Sequence, residues 1–250
     1  MADRPVAEQL AAGSGAGQAE LIVRGIGPDD LVGTPFSRPA HDGLRHLTRL
    51  AAGEPIDQDD AGRDVLVPPI TDRWGPAFDR AADGWWGQLM IAIREHAAGR
   101  LELAERCYRR SHELTSTAWS DRGLALIADA RGDTDTGAQH YLAALAQAPE
   151  CLPLLVEAGD QLLRVHRPLE CLRLIAAAPV GLGGHGRIQL QRVRAYLARG
   201  QTASAQELLE AGIEVPDIRE GETMDQLWRE AFGDRELPTR YDYRMHPDAE

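Results

Sequence analysis

The sequence predicts an all-α protein: a solenoid of about four helix pairs, with an irregular N-terminal arm before it and a capping helix after it. Three observations carry this. Four turn positions, Gly99, Gly132, His166 and Gly200, recur at intervals of 33 or 34 residues. Columns of small and large residues keep step with them. The composition is 43% apolar but only 5% aromatic, so the core must be built from Ala, Leu, Ile and Val, and Ala and Leu favour helix. A chain of 250 residues has room for one large or two small domains. The pattern divides it into an arm over 1–80, repeats over 81–215, and a cap with its tail over 216–250.

The arm comes first. Val6–Arg24 is apolar enough for one or two helical segments, broken by Gly13-Ser14-Gly15-Ala16-Gly17. Leu44–Ala52 reads as a short helix and Val65–Val67 as a short extended piece. Asp57-Gln58-Asp59-Asp60 reads as a solvated loop. Pro28, Pro35, Pro39, Pro55 and Pro68-Pro69 prevent long regular elements.

The repeats follow, with helices expected at 84–98, 101–114, 118–131, 134–147, 151–164, 168–178, 186–199 and 202–212. Seven residues before each turn stand Ala92, Ala125, Gly159 and Val193. Five residues after it stand Ala104, Gly137, Cys171 and Ala205. Four further on are Tyr108, Tyr141, Ile175 and Leu209, and three beyond those are Ser111, Ala144, Ala178 and Gly212. Small residues belong where two antiparallel helices approach, and a large residue fills the space toward the next pair. A glycine at the turn adopts the left-handed conformation cheaply. Pro168 suits the first turn of a helix, while Thr134-Asp135 and Gln201-Thr202 are capping positions. At the far end, Thr223–Phe232 reads as an amphipathic helix whose Leu227 and Trp228 cover the last pair, as terminal repeats require. Tyr241–Met245 reads as an ordered tail.

This period and these columns resemble the tetratricopeptide repeat over about residues 83–213. The match is best in the first two units: Trp86, Ala92, Gly99, Ala104 and Tyr108, then Trp119, Ala125, Gly132, Tyr141, Ala144 and Pro149. The later units depart from it, with His166 at the turn and no aromatic in the large column. A narrower resemblance lies in the end pieces. Arg219-Glu220-Gly221-Glu222, Leu227-Trp228 and Asp242-Tyr243-Arg244-Met245 are similar to the close of the bacterial family called domain of unknown function 5107. Gly33-Thr34-Pro35-Phe36 fits the region upstream of its repeats. That family carries a β-rich sandwich ahead of its helices. The resemblance therefore implies that this chain is the helical part alone, in a carbohydrate-related setting, with no catalytic residue here.

Composition narrows the function. The net charge of −12 repels phosphate backbones and anionic membrane surfaces, so neither nucleic acid nor membrane is expected as a partner. All 27 basic residues are Arg and there is no Asn; without Lys, P-loop and Schiff-base chemistry are closed to the chain. No apolar h-region follows Met1–Pro5, so a soluble, cytoplasmic chain is expected. The three cysteines, Cys107, Cys151 and Cys171, are widely spaced, which suits buried thiols better than disulfides or zinc. Arg106, Arg109 and Arg110 beside Cys107 would favour a thiolate only if the sulfur were exposed.

Gly181-Leu182-Gly183-Gly184-His185-Gly186 spells a dinucleotide fingerprint, but a helix, not a strand, is expected before it, so a turn between pairs is the better account. His41 and His46 do not share a helical face. His96 and His112 can meet across a pair, but a third ligand is missing. Glu157 and Asp160 share a face, and acid–base work would need their pKa values driven apart by burial. No catalytic, metal or cofactor residue is assigned and no cofactor is expected.

What remains is binding. In stacked helix pairs the first helices line a groove, and His96, Arg122, Asp129, Asp160, Arg164 and Arg194 are spaced to point into it. Mixed charge there suits an extended peptide or a neighbouring domain. Trp85 lies one step round from Trp86, and Trp74 precedes the first pair; both are further candidates for partner contact. The expected role is a protein–protein interaction module, and the family resemblance implies the β-sandwich as its partner. The alternative is an accessory part of a carbohydrate-active enzyme, which would need Trp74 and Trp85 exposed together near Asp59 or Asp60.

Overall fold

A computed structural model describes residues 46, 49–50, 52–58, 74–215 and 222–241. Outside the described residues lie the segments expected at 6–24 and 65–67, most of that at 44–52, the Gly13–Gly17 break, Asp59 and Asp60, the Gly33–Phe36 and Arg219–Gly221 motifs, and the tail beyond Tyr241. Among the described residues every regular element is helical. Helix α1 is Gly75–Arg80, α2 Trp85–Ala97, α3 Leu101–Leu114, α4 Ala118–Ala130 and α5 Thr134–Gln147. Then come α6 Leu152–Arg164, α7 Pro168–Ala177, α8 Gly186–Ala198, α9 Thr202–Ala211 and α10 Glu222–Phe232, with short 3₁₀ turns at Leu182–Gly184 and Thr239–Tyr241. The repeat helices fall within a residue or two of the expected bounds. No described helix is long and apolar enough to cross a membrane.

Two compact units divide at Ile127, inside α4. In the first, α1 packs on α2 and α2 on α3. Its core joins Trp74, Phe78, Trp86, Leu89, Ala92, Ala104, Tyr108 and Leu124, with Leu50 of the arm buried among them. Trp74 stacks on Phe78 at 5.7 Å, and Phe78 meets Trp86 edge-on. Ser111, fully buried, donates its hydroxyl to the Trp85 carbonyl at 2.8 Å. Thr117 and Ser120 exchange side-chain to backbone hydrogen bonds across the first turn of α4, a reciprocal cap.

In the second unit α5 packs on α6, α6 on α7 and α8, α7 on α8, α8 on α9, and α10 on both α8 and α9. Leu227 and Trp228 close the last pair as expected, against Leu190, Val193, Ala205 and Leu209. The Tyr241 hydroxyl accepts from the Ile213 amide and donates to the Leu209 carbonyl, each at 2.8 Å. Arg240 donates to the Leu209 and Glu210 carbonyls, so both side chains cap the C-terminus of α9.

The columns are the core. Ala92, Ala125 and Val193, Ala104, Cys171 and Ala205, and all four large residues are buried. The last column is not uniform: Ser111 and Ala144 are buried, while Gly212 is exposed. The four turns are left-handed, at φ 74° for Gly99, 79° for Gly132, 56° for His166 and 70° for Gly200. The cap of α5 is Asp133, not Thr134; its carboxylate accepts from the Thr136 amide at 3.2 Å, and the Thr136 hydroxyl, with this amide, holds its pKa below the ordinary value.

Candidate functional site

The residues expected to meet a partner fall into two groups, one in each unit. On the first, His96 stands at the end of α2 and its ring meets the Tyr108 ring edge-on at 6.1 Å. Burial lowers the His96 pKa, and the nearby Arg122 guanidinium lowers it further. Burial pushes the Tyr108 phenol up to about 12. A Cβ on Gly123 would overlap the Tyr108 ring, so α4 can lie against this tyrosine only with glycine there. His96 therefore packs on Tyr108, while His112 faces Asp121 at 3.6 Å. The two histidines do not form the pair that their positions allowed.

Trp74 is fully buried. Trp85 is half-buried against the same core. The exposed pair of rings that a sugar platform requires is not formed by Trp74, and Asp59 and Asp60 lie outside the described residues.

In the second unit the charges pair off between first helices. Asp129 of α4 accepts from Gln161 Nε2 at 2.6 Å and Arg164 Nη1 at 3.1 Å, both on α6. One pair further on, Asp160 of α6 accepts from Gln191 Nε2 at 2.9 Å and lies 3.6 Å from Arg194, both on α8. Each glutamine stands three residues before its arginine and is fully buried. Its amide also reaches a backbone carbonyl, Thr134 for Gln161 and Val156 for Gln191. The same Asp–Gln–Arg clamp thus occurs twice.

The clamp corrects the account of two small residues. Gly159 is small because the Gln191 amide occupies the place of its Cβ, and Gly137 because Asp129 and Gln161 do. Side chains, not backbones, crowd these glycines. The glutamines were missed in the sequence; the signal was an apolar helix face interrupted by Gln with Arg three residues later.

The fingerprint-like loop is also settled by packing. Gly181 has φ 99°, and Gly186 opens α8 against the Glu214 carbonyl, where a Cβ would overlap. Helix α7 precedes the loop, so the last glycine admits this chain's own backbone. An open cleft of about 710 Å³ lies here, lined by His185, Gln189, Glu214 and Arg240 among others. His185 accepts from the Arg187 amide, and Arg240 is committed to α9.

Cys107 and Cys171 are buried, and burial raises both thiols, Cys171 to about 12; Cys151 is half-exposed at the start of α6. Glu95, buried on α2, accepts from Arg94 at 2.8 Å and from Arg100. The Arg100 bond, with help from Arg94 and against desolvation, holds its carboxyl below the ordinary range. Among the described residues no three or more His, Cys, Asp or Glu side chains are placed to hold a metal ion. No known protein family matches the chain, and no curated protein matches it either.

Proposed function

We propose that the chain is a protein–protein interaction module of the tetratricopeptide type, holding an extended segment of a partner on the polar faces of α6 and α8 in its second unit. The observation that supports this most is the state of the arginines in the clamps. Arg164 and Arg194 keep 56% and 40% of their side chains exposed while Asp129 and Asp160 fix their direction. A cation already oriented loses little further rotamer freedom when a partner carboxylate or carbonyl arrives. The resemblance to the domain of unknown function 5107 makes a β-sandwich domain the first partner to seek.

The test is capture on the immobilised full chain from native lysate at low and moderate salt, read by mass spectrometry. A protein retained by the parent should be lost from the double variant Arg164→Glu/Arg194→Glu, with its melting temperature little changed. Equal retention by both proteins, or none by the parent, overturns the reading.

A further inference from the structure

The net charge of −12 is not spread evenly along the chain. Residues 161–200 hold seven arginines and one acidic residue, Glu170, for a net of +6. Before them, residues 128–160 hold six acidic residues against Arg131 alone. After them, residues 201–250 hold thirteen acidic residues against five arginines. The basic run comprises the end of α6, all of α7 and all of α8, and these three helices pack on one another. The run is thus a positive region in space, set within the second unit.

Helix stability does not account for it. Helix α8 carries Arg187, Arg192 and Arg194, has Arg199 as its C-cap, and contains no acidic residue to offset them. Arg187 stands in its first turn, where the helix dipole disfavours a cation. Arg164, Arg167 and Arg194 are paired, with Asp129, Glu170 and Asp160. Arg192 donates to the Gln189 amide oxygen at 3.5 Å and Arg199 to that of Gln201 at 3.2 Å, both neutral acceptors. Arg173 is exposed on α7. Among the described residues none of these last three forms an ion pair. Their mutual repulsion raises the energy of the folded unit, and an arriving carboxylate relieves it. Arg187 and Arg194 are seven residues apart and so share one face of α8; neither is buried.

We infer that the segment held on α6 and α8 is acidic: a short, extended stretch of a protein partner, rich in Glu and Asp. The inference rests on the interaction reading above and names the chemistry of its partner. The clamp arginines, directed by Asp129 and Asp160, meet the carboxylates, and the other arginines supply a field that favours their approach. Exposed charges act over about 8 Å at physiological salt, so the local run governs a segment seated on it, and the net charge of the whole chain does not. Nucleic acid is disfavoured. Asp135 of α5 and Glu207 and Glu210 of α9, on helices packed against α6 and α8, border the run and repel a longer polyanion.

The probes are two fluorescein-labelled synthetic peptides, titrated into the full chain and read by anisotropy. One alternates Glu and Ser; the other has Gln in place of every Glu. The Glu peptide should bind and the Gln peptide should not, and moderate salt should weaken the binding. Arg173→Gln/Arg192→Gln/Arg199→Gln leaves the clamps untouched and should weaken the Glu peptide roughly tenfold at low salt. Arg164→Glu/Arg194→Glu should abolish its binding. Equal binding of the two peptides, no binding of either, tighter binding of a thymidine oligonucleotide of the same length, or undiminished binding by either variant overturns the inference. The comparison of peptides on the parent stands whether or not the variants fold. A lysate protein lost from Arg164→Glu/Arg194→Glu but fully retained by the triple variant keeps the interaction reading and overturns this one.

Discussion

His166 occupies a turn where the three equivalent positions are glycine, at φ 56°. A side chain in the left-handed region costs about 1–2 kcal/mol, while glycine costs about 0.5–1 kcal/mol more in chain entropy. His166→Gly should therefore stabilise the protein by about 0.5–1 kcal/mol, seen as a higher urea midpoint; a lower one would mean the imidazole makes a compensating contact. Tyr108 and Tyr141 are the large residues of their columns and both are buried. Either one changed to Ala should cost about 3–5 kcal/mol, and an unchanged melting temperature would refute the register. Among the described residues, His96 and Glu95 shape the acid limb, and Asp133 adds to it at the lowest pH. The His96 pKa is depressed from 6.5, so the unfolded chain takes up the proton first, and stability present above pH 6.5 is lost as pH falls below it. Glu95 is depressed from 4.5, so its contribution is present above pH 4.5 and is lost below it. Urea midpoints across pH 3.5–7.5 should fall in both windows. His96→Gln should flatten the upper one and Glu95→Gln the lower.

Among the elements, helix bounds were legible because turns and columns repeat, and a repeated pattern averages over local exceptions. The clamps were not. Asp129, Asp160, Arg164 and Arg194 were placed on the right helices, but spacing along one helix does not say which helix its charges face. Here each aspartate is met by the next first helix, which turns a presumed groove lining into a brace between pairs. The brace predicts unequal mutational effects. Asp160→Asn or Arg194→Ala removes a half-exposed ion pair and should cost below about 1 kcal/mol. Gln191→Leu removes the buried amide that donates to both the Val156 carbonyl and Asp160, and should cost about 1–3 kcal/mol. Comparable losses for Arg194→Ala and Gln191→Leu would show that the salt bridge, not the amide, carries the brace. Gly159→Ala should act like Gln191→Leu because its methyl evicts the same amide.

For the whole molecule, periodicity alone determined that the chain is helical, where its repeat helices lie, which columns are buried and that a last helix covers the final pair. These are local properties: the period of the apolar face and the conformation open to each turn residue are written in consecutive residues. Tertiary structure decided what the polar residues do. It buried Trp74, turned His96 onto Tyr108, paired the aspartates with arginines from the next first helix, and used Gly186 to admit backbone at Glu214. It also brought Gln58 onto a helix end 28 residues away. Hydrogen bonds and ion pairs form between groups that are distant in the chain, and their energies depend on separations of a few tenths of an ångström and on lost water. No spacing rule along the sequence encodes those distances, so the pairing of these polar groups became definite only once the helices were packed.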